Sequence, residues 1–416
     1  MYMKRNLFFL LSFVLGFVVV ACQSQGALLV HSQADIINMD SASTEQWRYS
    51  ELFKDVRLIP LETKDVLLSS ISKMVPVNDT LYLMDRRTEG VYAFKKDGSF
   101  IRKFGNNGPA PGEYAGCRDF TVDEEKKKLY LYDSSRNKIL RYDLLTGTFE
   151  DEISLDGPPF YADIAYQSDF LYAYQSNHWP AQGDTPYYLL HQIDLLQAGK
   201  MTASLLDYDS YNQGWQNEFL NFGTPFTRVG DELWFCTALM DTVMAIREGE
   251  VYPVLAIHGE KVIKRDDLLK DSNLHSSGDP VALTKKMMQQ YMHLTQKKVY
   301  WGFCNFYVHQ GYLWFNCYGG SLLKVRHHLK SGQTSIFQTQ KDDIFFAGNK
   351  QNGVTLPGYL CADADGVFYF YNTEQLAELK RLFESGQLSD KVVNKELVRS
   401  LESDSNPVLL YYEFKD

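Results

Sequence analysis

Leu81-Tyr82-Leu83-Met84-Asp85 and Leu129-Tyr130-Leu131-Tyr132-Asp133 are one phrase written twice, an apolar and aromatic run closed by an aspartate. Such runs of aromatic and branched side chains suit an extended, half-buried strand. Weaker copies follow as Leu171-Tyr172-Ala173-Tyr174, Leu233-Trp234-Phe235-Cys236, Leu313-Trp314-Phe315-Asn316 and Val367-Phe368-Tyr369-Phe370. The aromatic marks at 82, 130, 172, 234, 314 and 369 lie 48, 42, 62, 80 and 55 residues apart. Repeats of about 40–50 residues, each built of short strands, are the signature of propeller blades. Six marks predict an all-β chain, a six-bladed β-propeller.

Four of the six copies are followed by a partner strand: Val91-Tyr92-Ala93-Phe94, Ile139-Leu140-Arg141-Tyr142, Val243-Met244-Ala245-Ile246 and Leu322-Leu323-Lys324-Val325. Asp97-Gly98 and Thr146-Gly147 read as turns into the next strand, the first being a strong hairpin signal. Helical insertions in the later blades account for the long spacings. One is predicted from Pro280 to about Lys297, capped by Asp279, with Val281, Leu283, Met287, Met288, Tyr291 and Leu294 on its apolar side. A second runs from Thr373 to Gly386, and a third from Ser389 to Leu401. A ring of sheets avoids exposed edges by pairing its two chain ends in one blade. Val56 to Leu61 and Val408 to Tyr412 are the strands expected to do so. A large β-sandwich is the competing architecture, but its strands would share no internal phrase.

Ahead of the repeats, Lys4 and Arg5 precede an apolar run from Leu7 to Ala21, broken only by Ser12 and Gly16. The run falls short of the roughly 20 residues that cross a bilayer and has the form of a secretory signal. Its ending, Val19-Val20-Ala21-Cys22, resembles a bacterial lipobox, which implies removal of residues 1–21 and acylation of Cys22. An ordinary signal peptide cut near Ala21, or a signal anchor, is the alternative. Residues 22–45 then read as a lipidated cysteine and flexible tether, and residues 46–416 as the propeller.

Removing residues 1–21 takes away Lys4 and Arg5 and no acid, so the net charge moves from −10 to −12. A net acidic protein is a poor general binder of nucleic acid, and the only membrane contact expected is the lipid anchor. Five cysteines remain after Cys22: Cys117, Cys236, Cys304, Cys317 and Cys361. Five is odd, no CxxC spacing supports a zinc cluster, and most lie among aromatic residues, so buried free thiols are expected.

Between the first two blades the chain reads Lys103-Phe104-Gly105-Asn106-Asn107-Gly108-Pro109-Ala110-Pro111-Gly112-Glu113-Tyr114. This resembles the G-x-G-x-G-P-G-E-Y/F segment of a family of six-bladed propeller lipoproteins, NHL-repeat-like or TolB-like, abundant in gut-type Gram-negative anaerobes. Ile59-Pro60-Leu61-Glu62-Thr63 and Asn406-Pro407-Val408-Leu409 resemble that family's opening and closing phrases. The likeness covers roughly residues 50–416 and is strongest in the first two blades. Ala110 beside Pro109 departs from it, where the family more often has Gly-Gln or Gly-Arg. The resemblance implies a fold and an envelope location, and no reaction.

The loop at 105–114 is no phosphate loop, since it lacks the Lys-Ser/Thr ending and opens no helix. Glu113 is expected to bond backbone amides or Arg118, with a ligand role as the alternative. Propeller ligands sit at the mouth of the central channel, where the inner strands begin. Those starts are placed near Lys73, Arg118, Tyr161, Thr227, Asn305 and Tyr359. Such a ring could hold a carboxylated sugar or a peptide carboxylate, with Arg supplying two-pronged hydrogen bonds. The bland reading of Arg118 and Asp119 is that they pair with each other. His178-Trp179-Pro180, Tyr211, Trp215 and Phe219 form a second candidate, as stacking platforms or as plugs under long loops. His327 and His328 point to opposite faces of a strand and cannot share one ion.

These residues favour a lipid-anchored propeller that binds a small molecule, glycan or protein partner as a monomer, accessory to glycan or peptide uptake. The alternatives are a hydrolase or lyase working in the channel, and a purely structural scaffold. No G-x-S-x-G elbow or H-E-x-x-H appears, and no catalytic residue is assigned. No cofactor is expected. Calcium alone stays open, since propeller hydrolases would hold it with acidic and amide side chains on the axis. In the resembling lipoproteins, acidic residues just after the cysteine go with surface export. Gln23-Ser24-Gln25-Gly26 has none, so the periplasmic face is expected.

Overall fold

A computed structural model describes residues 34–158, 160–176, 187–215, 223–269, 280–348 and 356–416. Six antiparallel sheets account for most of them. Blade 1 runs Lys73–Val77, Thr80–Asp85, Gly90–Lys95 and Phe100–Phe104, and blade 2 runs Cys117–Asp123, Lys128–Asp133, Lys138–Asp143 and Phe149–Ser154. Blade 3 uses Asp163–Gln167, Phe170–Tyr174, Tyr188–Asp194 and Lys200–Asp207; blade 4 uses Phe226–Val229, Glu232–Phe235, Thr242–Arg247 and Glu250–His258. Blade 5 holds Trp301–His309, Tyr312–Tyr318, Leu322–His328 and Thr334–Lys341, and blade 6 holds Gly358–Ala362, Gly366–Tyr371 and Val408–Phe414. The fourth strand of blade 6 is Phe53–Pro60, from the other end of the chain. This is the six-bladed propeller that the repeats predict, and all six aromatic marks fall on second strands.

The recurring aspartate has a mechanical purpose. Asp85 accepts hydrogen bonds from the amides of Ser69, Ser70, Arg87 and Thr88. Asp133 accepts from Ala115, Gly116, Ser135 and Arg136 in the same way. Each carboxylate thus ties the turn after its own strand to the loop that leads into the blade, satisfying amides that would otherwise be buried unpaired. Gly98 needs to be glycine: its φ is +93°, and a Cβ there would lie 2.2 Å from the Pro60 carbonyl oxygen.

Closure follows the expected strands. Leu409 pairs with Ile59, Tyr411 with Arg57 and Tyr412 with Val56. Asn406 locks the seam, accepting from the Leu68 amide at 2.7 Å and donating to the carbonyls of Glu62 and Val66.

Three local expectations are corrected. The end of the expected tether, residues 35–45, is not slack: Asp35–Asn38 (β1) adds a parallel fifth strand to blade 4, and Ser43–Arg48 (β2), which begins inside it, does the same for blade 5. Trp47 explains the second attachment, being 1% exposed and packed on Trp314 at 5.4 Å and Phe337 at 5.9 Å. The expected third helix is a short 3-10 turn, Lys395–Ser400. Ahead of it the backbone is taken by the edge of blade 6, where Val56 bonds Lys391 and Val393, and Asn394 brackets both main-chain groups of Leu58. Helix Pro280–Lys297 forms as predicted, but rotated from the expected stripe: Leu294 is fully buried and Tyr291 packs on Trp301, whereas Val281 and Met288 face solvent. Gln290 takes an inward place because its Oε1 accepts from the Leu269 amide at 2.8 Å. The second insertion, Thr373–Gln375 and Leu376–Glu384, is capped by Asn372. All five cysteines in the described residues are free thiols.

Candidate functional site at the mouth of the hub

Strand direction gives the propeller two unlike faces. Links from first to second strand and from third to fourth emerge on one face, and each is two to five residues long. Links from second to third strand, and from each outer strand to the next inner one, emerge on the other. That face carries every long connection, including the helix Pro280–Lys297 and residues 372–407. Long loops on a rigid scaffold are where binding residues collect. The inner strands surround the hub, with 117–123 against 163–167, 226–229 against 301–309, and 358–362 against 73–77. Their first residues meet on the loop-rich face.

One wall of this mouth is charged. Lys73, the first residue of blade 1, reaches across the blade boundary and donates to Asp119 Oδ2 at 2.8 Å and to the Ile164 carbonyl at 2.9 Å. Asp119 is fully buried, and the same oxygen accepts from the Ile164 amide at 2.6 Å. One lysine–aspartate contact therefore joins three blades. Asp163 lies beside it, within 3.4 Å of the Arg86 guanidinium. Burial pushes the Asp163 carboxyl up to about 6, the Asp119 charge adds to that, and Lys73, Arg86 and Arg118 oppose it.

Arg118 does not pair with Asp119. A β-bulge between Cys117 and Asp119 takes Arg118 out of the ladder and re-aims its side chain, as bulges near binding sites do. With Asp119 engaged by Lys73, Arg118 makes no hydrogen bond or ion pair with any described residue, although its charge is felt by Asp163 and Tyr132. It is half-buried.

The opposite wall is aromatic and thiol-bearing. Tyr359 heads blade 6, half-buried, with its ring edge-on to Tyr369 at 5.6 Å. Asn305 sits in a bulged stretch of blade 5 with φ +59°, and its Oδ1 closes on the space beside Gly223, in the connection that leads into blade 4. Cys236 and Cys304 line a void of about 10 Å³ between blades 4 and 5. Thr227 lies in the inner strand of blade 4 opposite Trp234.

Other expected residues lie elsewhere. Tyr161 is packed in the core between blades 2 and 3, with Tyr132 and His191 each 5.7 Å away, because the inner strand begins two residues later at Asp163. Trp215 is 4% exposed under the helical insertion, beside Leu294 and Trp301, so it is a plug with no free face for stacking. Glu113 accepts from the Ala110 amide at 3.0 Å within its own loop, and Arg136 holds that loop through the carbonyls of Gly108 and Glu113, both at 2.7 Å. His327 is buried with Nδ1 2.9 Å from Thr334 Oγ1, away from His328. Cys22, His178, Trp179, Pro180, Phe219 and Asp279 lie outside the described residues. Among the described residues no three histidine, cysteine or acidic side chains converge as metal ligands, and Lys73 holds the position beside the two hub carboxylates. Sequence reasoning missed Asp163 and Arg86. A charged residue heading an alternating run was the available signal for Asp163.

Residues 34–413 match the family model described as a domain of unknown function, DUF4934. The chain belongs to the DUF4934 family. No curated protein matches it. Among solved structures, this DUF4934 chain is similar to a Bacteroides fragilis protein assigned as exported, at 19% identity and TM-score 0.67, covering 92% of this chain and 100% of that one. A DUF4221 family member from Bacteroides vulgatus aligns at 10% identity and TM-score 0.48, over 88% and 97% of the two chains. Streptogramin B lyase aligns at 14% identity and TM-score 0.38, over 78% and 82%. At these identities the first likeness speaks to the fold, and the other two carry no argument.

Proposed function

We propose that this DUF4934 protein is an exported, NHL-like propeller lipoprotein, held by an acylated Cys22 at the periplasmic face, that binds a small carboxylated ligand at the mouth of its hub. An acidic sugar and a peptide's C-terminal carboxylate present the same chemistry. The observation that carries the reading is Arg118: a guanidinium re-aimed by a bulge, on the loop-rich face, whose neighbouring carboxylate is already taken by Lys73. A guanidinium offers two parallel donors to a carboxylate, and the low-dielectric rim strengthens that contact. Tyr359 and Asn305 across the mouth supply an aromatic edge and an amide to the ligand's body.

A thermal-shift screen of galacturonate, glucuronate and short peptides with free C-termini tests this. At least one acid is expected to raise the melting temperature of the natural protein and not of Arg118→Met. Equal shifts in both proteins, or none from any acid, would count against it. Labelling cells with an alkyne fatty acid tests the anchor: the natural chain takes the label and Cys22→Ala does not. Protease treatment of intact cells that releases the domain would contradict the periplasmic placement.

A further inference from the structure

The helix Pro280–Lys297, in the connection between blades 4 and 5, has two unlike sides. Gln290 and Leu294 face the propeller and are fully buried. On the opposite side Val281, Met288 and Met292 are 75%, 44% and 52% exposed. With about 3.6 residues per turn, these three fall in one stripe roughly 40° wide along the helix. Exposed Lys285 borders it. Leu322, 45% exposed, follows the Gly319-Gly320 turn, which packs on the end of this helix: a Cβ at Gly320 would fall 3.2 Å from Lys298 Cγ. The apolar surface thus continues from the helix onto blade 5.

The charge here also runs against the rest of the molecule. From Pro280 to Lys298 the sequence holds Lys285, Lys286, Lys297 and Lys298 and no acid, in a chain of net charge −10. Lys297 meets Asp267 at 3.3 Å, whereas Lys285, Lys286 and Lys298 make no ion pair with any described residue. The N-terminal segment arrives at the same sector: β1 seats on blade 4 and β2 on blade 5, the two blades that this helix connects. Cys22 stands 13 residues ahead of Asp35, a separation that spans about 45 Å at most. A lipid on Cys22 therefore keeps the edge of blade 4 within that distance of the bilayer.

We propose that the outward side of this helix is a second membrane contact, laid on an anionic phospholipid surface. The inference rests on the acylated Cys22 proposed above and not on Arg118. Val281, Met288 and Met292 enter the headgroup region, where their apolar surface leaves water, and Lys285 and Lys298 meet lipid phosphates. A basic face beside an apolar stripe is the pattern of helices that lie in the plane of a membrane. Most of the remaining surface, being acidic, is repelled by the same bilayer. The contact turns the loop-rich face, which carries the helix, toward the membrane.

Methionine oxidation tests this. The lipidated mature chain is bound to phosphatidylcholine vesicles, with or without phosphatidylglycerol, and treated with hydrogen peroxide, and sulfoxides are measured by peptide mass spectrometry. Half-buried Met201, in the outer strand of blade 3, is the internal reference. Relative to it, Met288 and Met292 are expected to oxidise about tenfold more slowly on the phosphatidylglycerol vesicles, since the thioethers leave the solution that carries the oxidant. Lys285→Glu/Lys298→Glu is expected to abolish that protection. Vesicles that carry the protein while both methionines oxidise alike on the two lipids overturn the helix contact and leave the anchor standing. Protection that persists on phosphatidylcholine alone, or in the double variant, indicates a protein neighbour and also overturns it. A chain that fails to float with either vesicle removes the anchor, and this inference with it.

Discussion

Lys73 of blade 1 and Asp119 of blade 2 meet at 2.8 Å with side chains only 10% and 0% exposed, and both also bond the main chain of Ile164 in blade 3. A contact of this kind fixes the angular spacing of three blades at the hub, so the Arg118 bulge next to it is held on a rigid base. It also carries a stability penalty if half of it is removed. Lys73→Met leaves Asp119 buried without its cation, a change expected to lower stability by about 3–5 kcal/mol. Lys73→Met/Asp119→Leu should recover part of that loss. Urea midpoints of the three proteins check it, and an unchanged Lys73→Met would show that the pair holds nothing together.

Asp163 predicts the pH response. Its folded pKa is raised to about 6, above the unfolded value of about 3.9, so the folded state binds the proton more tightly. The contribution is fully present below about pH 4 and is lost as pH rises through 6. Asp163→Asn, which cannot ionise, should therefore melt higher than the natural protein at pH 7.5, with the gap shrinking by pH 5. Melting curves at the two values decide the matter, and a gap that grows toward acid has the wrong sign.

The N-terminal strands are structural, not slack. Trp47→Ala empties a site walled by Trp314, Phe337 and Phe53. Large-to-small changes at such sites cost about 3–5 kcal/mol. A melting temperature within a degree or two of the natural protein would mean that β2 is not seated on blade 5.

Glu113 separates charge from geometry. Its carboxylate accepts from the Ala110 amide, and glutamine keeps an oxygen there, so Glu113→Gln should be nearly neutral in stability. Glu113→Ala loses the acceptor and should cost about 1 kcal/mol. If Glu113→Gln keeps its melting point yet loses carboxylate binding, Glu113 belongs to the ligand site after all.

Much of this architecture was legible because a propeller repeats its instructions. The aromatic mark names the second strand, its aspartate collects the amides, and the closing strands appear as Ile59-Pro60-Leu61 and Val408-Leu409, which pair as written. Asn406 belongs to a phrase recognisable in sequence, and its side chain stitches Glu62 to Leu68. Bulges and edges were hidden. The inner strand starts at Asp163, two residues later than expected, so Tyr161 falls in the connection ahead of it and packs into the core while Asp163 takes the place at the hub. The bulge that frees Arg118 leaves no mark in composition. In the segment expected to be helical, the unpaired edge of Phe53–Pro60 claims the main chain of Lys391 and Val393 and the side chain of Asn394.

The most direct measurement of the central claim is a calorimetric titration of the natural protein and Arg118→Ala with an acid that shifts its melting point and with that acid's uncharged counterpart, galacturonate against galactose or a free peptide against its C-terminal amide. The account predicts that the natural protein prefers the acid and that Arg118→Ala weakens acid binding about tenfold to a hundredfold, the worth of a charge-assisted pair, while leaving the neutral compound unaffected. Equal affinity for acid and neutral forms, or an Arg118→Ala variant that binds the acid as well as the natural chain, would contradict it.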